Sequence, residues 1–172
     1  MLDKLIDLLA SMWSEACPLQ IVDCFKAGVH LRFGKFIRVL EPGLRWKIPL
    51  VDKFMLDDVV IDTAYYKPQA LTTLDNKMVV VSAVVKYQVV DIKKYLLDIY
   101  DRDSVLADST MMAMKQIVSS FNWESLRHSK EVEKELRSLV AKEVKDYGIK
   151  VHRVVFADLS LCRTYRLISD AK

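Results

Sequence analysis

The hydrophobic pattern of this 172-residue chain turns from strand-like to helical between Val89 and Asp91, and that change sets the fold class. From Leu19 up to it, apolar residues come in short β-branched runs broken by Gly, Pro or Asp-Asn punctuation. After it, they recur every three or four residues. Strands followed by helices, rather than strands alternating with helices, argue for an α+β fold on an antiparallel sheet.

The strand half runs from Leu19 to Val89. "LQIVDCF" leads through Lys26-Ala27-Gly28 into "VHLRF", and "GKFIRVL" follows. Glu41-Pro42-Gly43 is a turn, because Pro pre-sets φ and Gly accepts a positive one. "LRWKI" follows and Pro49 closes it. "FMLDDVVIDT" reads as one strand whose carboxylates Asp57, Asp58 and Asp62 mark a solvated edge, Asp58 and Asp62 on one face. After Pro68, "QALTTL" meets "MVVVSAVVKYQVV" through the hairpin turn Asp75-Asn76-Lys77. That last run is the longest and is apolar on both faces, which places it centrally in the sheet.

The helical half opens with "DIKKYLLDIY", capped by Asp91. A second helix, capped by Asp103 or Ser104, carries Leu106, Ala113, Met114, Ile117, Val118 and Phe121. A third, capped by Ser129, carries Val132, Leu136, Leu139, Val140, Val144 and Tyr147. Gly148 suits the left-handed position just beyond its end. "IKVHRVVFADLSL" is a final strand returning to the sheet, and residues 162–172 begin another helix.

The chemistry-bearing residues form no catalytic constellation. His30, His128 and His152 are scattered without Cys or carboxylate at ligand spacing, so no metal or other cofactor is expected. "RFGKF" contains Gly-Lys, but a phosphate loop needs a hydroxyl residue after the Lys and a helix after that. Phe36 and a strand stand there instead. The balance of 26 cations to 23 anions is too mild for a nucleic-acid partner. Cys17, Cys24 and Cys162 have no paired spacing and fit free thiols in a reducing compartment. No run reaches the roughly 18 apolar residues of a bilayer span.

Two features stand above this background. Over residues 1–17, Leu2, Leu5, Ile6, Leu8, Leu9, Met12 and Trp13 fall on one helical arc of about 160°. Such a helix either docks on the strand domain or lies in a membrane interface, buried to headgroup depth. The second feature is "LRFGKFIRVLEPGLRWKIP". Its alternation puts Leu44, Trp46 and Ile48 on a core face, and gathers Arg32, Lys35, Arg45 and Lys47 on a wet one. These cations are either a solvated face or a headgroup-facing patch.

Three stretches in order carry a family resemblance. "AGVHLRFGKFIRVLEPGLRWKIPLVDKF", "LTTLDNKMVVVSAVVKYQVVD" and "YGIKVHRVVFADLSL" together resemble the SPFH (PHB) domain of stomatins, prohibitins and flotillins. The spacing is kept over residues 18–161, and the stomatin–prohibitin branch is the nearer. The resemblance implies a membrane-associated scaffold and not an enzyme. Such a protein self-associates on one leaflet and organises lipids or membrane proteins. The N-terminus lacks a basic stretch and carries Asp3 and Asp7 early, and no run spans a bilayer, so a peripheral place on a cytoplasmic face is expected. The alternative the resemblance implies is an adaptor that modulates one membrane protein, such as a protease or channel, without forming an array. Two departures concern the ends. Only the amphipathic helix stands where the family carries a membrane segment, and the long C-terminal helix of the family is only begun in residues 162–172, which weakens the expected homo-oligomer. Cys17 matches the position of an acylated cysteine in stomatin-like members.

Overall fold

A computed structural model of the protein describes residues 18–128 and 130–162. The expected N-terminal helix, the Ser129 cap and, beyond Cys162, the helix begun in 162–172 lie outside the described residues. The observed order is strands, then helices, then one returning strand: α+β, as the change of period requires. The chain packs as two compact units, one from residues up to 60 with 89–100, the other from 61–88 with 101 onward.

In the first unit, β1 (Leu19–Val22) and β4 (Gly43–Trp46) form an antiparallel ribbon. Beside it in sequence, β2 (Lys26–Arg32) is the middle strand between β3 (Lys35–Leu40) and β5 (Asp52–Asp58). On β3, Arg38 lies opposite His30 but Phe36 lies opposite Leu31, so Ile37 is an extra residue and the strand bulges there. The helix α1 (Ile92–Leu97) packs on β2 and buries Ile92, Tyr95 and Leu96. Asp91 caps it as expected, its carboxylate accepting the Lys94 N–H at 3.2 Å.

In the second unit, the long run read as central is central. One edge of β8 (Met78–Val89) is taken by β6 (Asp62–Tyr65) and then β7 (Gln69–Thr72). Tyr65 faces Val84 and Gln69 faces Val81, so four steps on one side match three on the other. The surplus residue falls at the break containing Pro68, which has no N–H to give to a ladder. β9 (Ile149–Leu161) takes the other edge of β8. The His152 ring lies 3.1 Å from the Gln88 amide oxygen, and the Cys162 N–H reaches the Met78 carbonyl at 2.8 Å. Rising numbers on β9 therefore meet falling numbers on β8, and the pair is antiparallel. The helices α2 (Arg102–Ser120), α3 (Trp123–His128) and α4 (Lys130–Val144) follow the strands, with α4 over β9 and against α2. Their apolar stripes, Leu106, Ala113, Met114, Ile117 and Val118 on α2 and Val132, Leu136, Val140 and Val144 on α4, are buried. Full burial of each larger side chain contributes roughly 1.5–3 kcal/mol.

Three local expectations change. The cap of α2 is Asp101, which accepts the Ser104 N–H at 3.2 Å, rather than Asp103 or Ser104. A short helix, α3, stands where only a loop separated the second and third periodic segments. "FMLDDVVIDT" is two strands in different units, β5 pairing with β2 and β6 with β8, so Asp58 and Asp62 share no face.

Candidate functional site

The ribbon of β1 and β4 carries its alternation the opposite way from the sequence expectation. Leu19 lies opposite Trp46 and Ile21 opposite Leu44, so period two puts all four on one face. That face is turned outward: Ile21 is 70% exposed, Leu44 63% and Trp46 61%. The other face holds Val22, Gln20 and Arg45, buried or half-buried. Leu44, Trp46 and Ile48 are thus not a core face. The pleat dictates that alternate residues separate, but not which set meets the protein. In a two-stranded ribbon the inner set is small and semi-polar.

The apolar surface continues along the chain from Trp46 through Ile48 to Leu50, which is fully exposed at φ 69°. The turn between β2 and β3 brings a further apolar side chain beside it. Phe33 and Gly34 have φ of 49° and 77°, the double positive pair of a two-residue hairpin turn. Phe33 is 78% exposed, and its N–H donates to the Val51 carbonyl at 3.0 Å. Two bulky residues therefore sit in the left-handed region with their side chains in solvent. Both the backbone conformation and the exposure are unfavourable for an isolated monomer, and such outliers concentrate where a surface meets something else.

A buried carboxylate holds this tip in place. Asp52, at the start of β5, has no exposed side-chain surface. It accepts from Arg32 Nε at 2.7 Å and Nη2 at 3.1 Å, and from the Ile48 N–H at 2.9 Å. Its own N–H returns to the Ile48 carbonyl at 2.9 Å, which closes the Ile48–Asp52 loop twice. His30 Nε2 stands 3.1 Å from Oδ1 without the alignment of a hydrogen bond, and Nδ1 has no partner among the described residues. The imidazole instead packs edge-on against Phe54, 4.9 Å between ring centres. The Arg32 guanidinium holds the Asp52 carboxyl far below the usual carboxylate range; burial opposes this and is outweighed, with the Ile48 N–H and His30 adding to the lowering. Arg32 is raised in turn, chiefly by its bond to Asp52.

The remaining sequence-derived candidates are dispersed. Leu2, Leu5, Ile6, Leu8, Leu9, Met12, Trp13 and Cys17 lie outside the described residues. Arg32 is engaged by Asp52, and Arg45 bonds the Glu41 carbonyl at 3.1 Å from the inner side of the ribbon. Lys35 is exposed on β3 and Lys47 is half-buried. Among the described residues no cluster of His, Cys, Asp and Glu could hold a metal ion. No helix among them is long and apolar enough to cross a membrane. Sequence reasoning missed the outward face, Phe33, Leu50 and the Asp52 hub. The signal for the last was the spacing of Pro49 and Asp52 after "LRWKI".

Comparison with known proteins adds a decisive match. The model of the SPFH domain / Band 7 family fits residues 20–170. The chain belongs to the SPFH domain / Band 7 family.

Among its relatives, an uncharacterised protein of Methanocaldococcus jannaschii is 27% identical over 135 residues, covering 78% of this chain and 68% of that protein. HflK of Haemophilus influenzae is 35% identical over 91 residues, 53% of this chain but 22% of HflK. The modulator of FtsH protease HflK of Escherichia coli is 29% identical over 99 residues, 58% of this chain and 24% of that protein. This SPFH chain therefore spans less than a quarter of either HflK protein.

Proposed function

We propose that this SPFH chain is a non-enzymatic, peripheral membrane scaffold that self-associates on one leaflet and organises lipids or membrane proteins there. The observation that carries the reading is the outward apolar face of Leu19, Ile21, Leu44 and Trp46, extended by Ile48, Leu50 and Phe33. Apolar side chains fixed outward on a hydrogen-bonded frame transfer from water to the acyl boundary without any refolding. Residues 2–13 add an interfacial helix through Leu2, Leu5, Ile6, Leu8, Leu9, Met12 and Trp13. Lys35 and Lys47 meet headgroups, Arg32 and Arg45 add positive charge from behind the face while held by Asp52 and the Glu41 carbonyl, and Cys17 is an acylation site. The exposed free thiols Cys24 and Cys162 fit the reducing, cytoplasmic side.

Liposome flotation tests this. The intact chain floats with vesicles. Changing Leu44 and Trp46 to Ser, or Leu5, Leu9 and Trp13 to Ser, lowers the floated fraction several-fold while the melting temperature holds. Equal flotation of all three proteins refutes the assigned contact surface.

The similarity to HflK favours a second reading, in which the chain modulates a membrane protease as a stoichiometric adaptor. A monomeric chain crosslinked one-to-one to such a protease supports it, and a large homo-oligomer without that partner rejects it.

A further inference from the structure

The sheet of the second unit ends on a strand with one edge unused. β9 pairs with β8, and no other strand among the described residues lies along its outer side. Close to its start, α4 supplies a partner, Arg137 Nε donating to the Val151 carbonyl at 3.3 Å. From Arg153 to Leu161 no described side chain takes a backbone group of β9. Unpaired edges of this length are templates for another strand, and proteins commonly shorten, charge or cover them.

A trough runs beside that stretch. Toward the end of β9, Phe156 and Leu159 form its floor with Leu126 of α3, while Arg127 and Lys130 stand on the rim with Glu133. Toward the start, the same Phe156 and Glu133 join Val84 and Lys86 of β8 and Arg153 and Val155 of β9. The two hollows share residues and follow one strand over Arg153–Leu159, roughly 20 Å at the rise of a β-strand. Four cations, Lys86, Arg127, Lys130 and Arg153, line it against one carboxylate, Glu133. None of the four is paired with an acid among the described residues.

From the unpaired edge, the apolar floor and the cationic rim we infer that β9 is a docking site for an extended acidic peptide segment, added to the sheet as a strand. The main chain of the partner pairs with the backbone of β9. Alternate side chains of the segment enter the trough, and its acids meet Arg127, Lys130, Lys86 and Arg153. Backbone pairing supplies affinity, and the alternating pockets and charges supply selectivity. The second unit alone carries this site.

The test uses the full chain and three fluorescein-labelled octapeptides, followed by anisotropy. One alternates Glu with Val, one alternates Lys with Val, and one repeats the Glu-Val peptide with every backbone amide N-methylated. The expected result is binding of the Glu-Val peptide at least about tenfold tighter than the Lys-Val peptide. N-methylation removes backbone donors and abolishes it. Arg127→Glu with Lys130→Glu, both exposed and so neutral to the fold by circular dichroism, lowers affinity by about tenfold or more. Equal binding of the acidic and basic peptides, no binding of either, or undiminished binding after N-methylation each overturns the proposal. So does a dimer in sedimentation that Arg153→Glu dissociates, since a second copy then occupies the edge.

Discussion

Arg32 and Asp52 are direct cross-strand partners on β2 and β5, and their side chains repeat the pairing with two bonds, Nε to Oδ1 at 2.7 Å and Nη2 to Oδ2 at 3.1 Å. Oδ2 also takes the Ile48 N–H, so a single buried carboxylate ties the β2–β5 register to the loop that displays Leu50. Through the bond from the Phe33 N–H to Val51, the same loop anchors the hairpin turn. The membrane-facing tip of the proposed function is thus built from the sheet outward.

Asp52→Asn keeps the shape of this hub and removes its charge. The amide offers one acceptor oxygen, and its NH2 opposes the Arg32 guanidinium. The variant is expected to melt at a lower temperature and to be cleaved faster by protease between Ile48 and Val51. Arg32→Lys keeps the charge without the two-pronged geometry and falls between the two. A wild-type melting curve for Asp52→Asn refutes the hub.

Acid sensitivity follows from two carboxylates. Asp75 is held at about 2, first by the Thr73 hydroxyl at 2.6 Å, then by Lys77 at 2.9 Å, with the Trp123 N–H adding to the lowering. Asp52 is lowered further. Both folded values lie below the ordinary carboxylate value of about 4, so the folded state binds fewer protons than the unfolded one. Their stabilisation is complete above about pH 4 and is lost as pH falls toward the folded value near 2. Urea midpoints measured from pH 6 to pH 2 are expected to be flat at first and then to drop. The double variant Asp52→Asn, Asp75→Asn starts lower and drops less. An undiminished drop in the double variant places the acid sensitivity elsewhere.

What was legible in the sequence was whatever a local pattern can encode. The change of period at Asp91 announced the α+β order, the two-sided apolar run of β8 announced a central strand, and Gly148 announced a helix end. Facing was not legible. "LRWKI" alternates correctly, yet Leu44 and Trp46 point outward, because the packing partner of a ribbon is chosen by residues distant in sequence. The split of "FMLDDVVIDT" was hidden for a similar reason: Asp58 and Asp62 pair with Lys26 and Tyr87, on different sheets. The Asp101 cap of α2 could not be told from Asp103 or Ser104 by pattern, since three capping residues within four positions fit the same helical stripe.

Gly148 has φ 76° and donates its N–H to the Lys145 carbonyl at 3.2 Å, ending the turn that links α4 to β9. A β-branched side chain in this left-handed position is strained by roughly 1–2 kcal/mol. Gly148→Val is expected to lower stability by about that amount in urea unfolding, with an unchanged dependence on denaturant. An unaffected midpoint refutes the assignment.

Trp46 offers a direct reading of the outward face, since the chain holds only three tryptophans, Trp13, Trp46 and Trp123. A Trp13→Phe, Trp123→Phe protein reports on Trp46 alone. Trp46 is 61% exposed, so its emission in buffer is expected near the wavelength of a hydrated tryptophan and open to iodide quenching. Adding phosphatidylcholine–phosphatidylglycerol vesicles moves the ring into the apolar boundary, where an indole prefers to sit with its N–H toward the headgroups. Emission then shifts to the blue and iodide quenching falls by half or more. Leu44→Ser in the same background weakens the response by removing the neighbour that shares the face. Emission that stays at the hydrated wavelength in saturating vesicles shows that this face does not enter the bilayer, and the outward apolar residues must then be assigned to a protein partner.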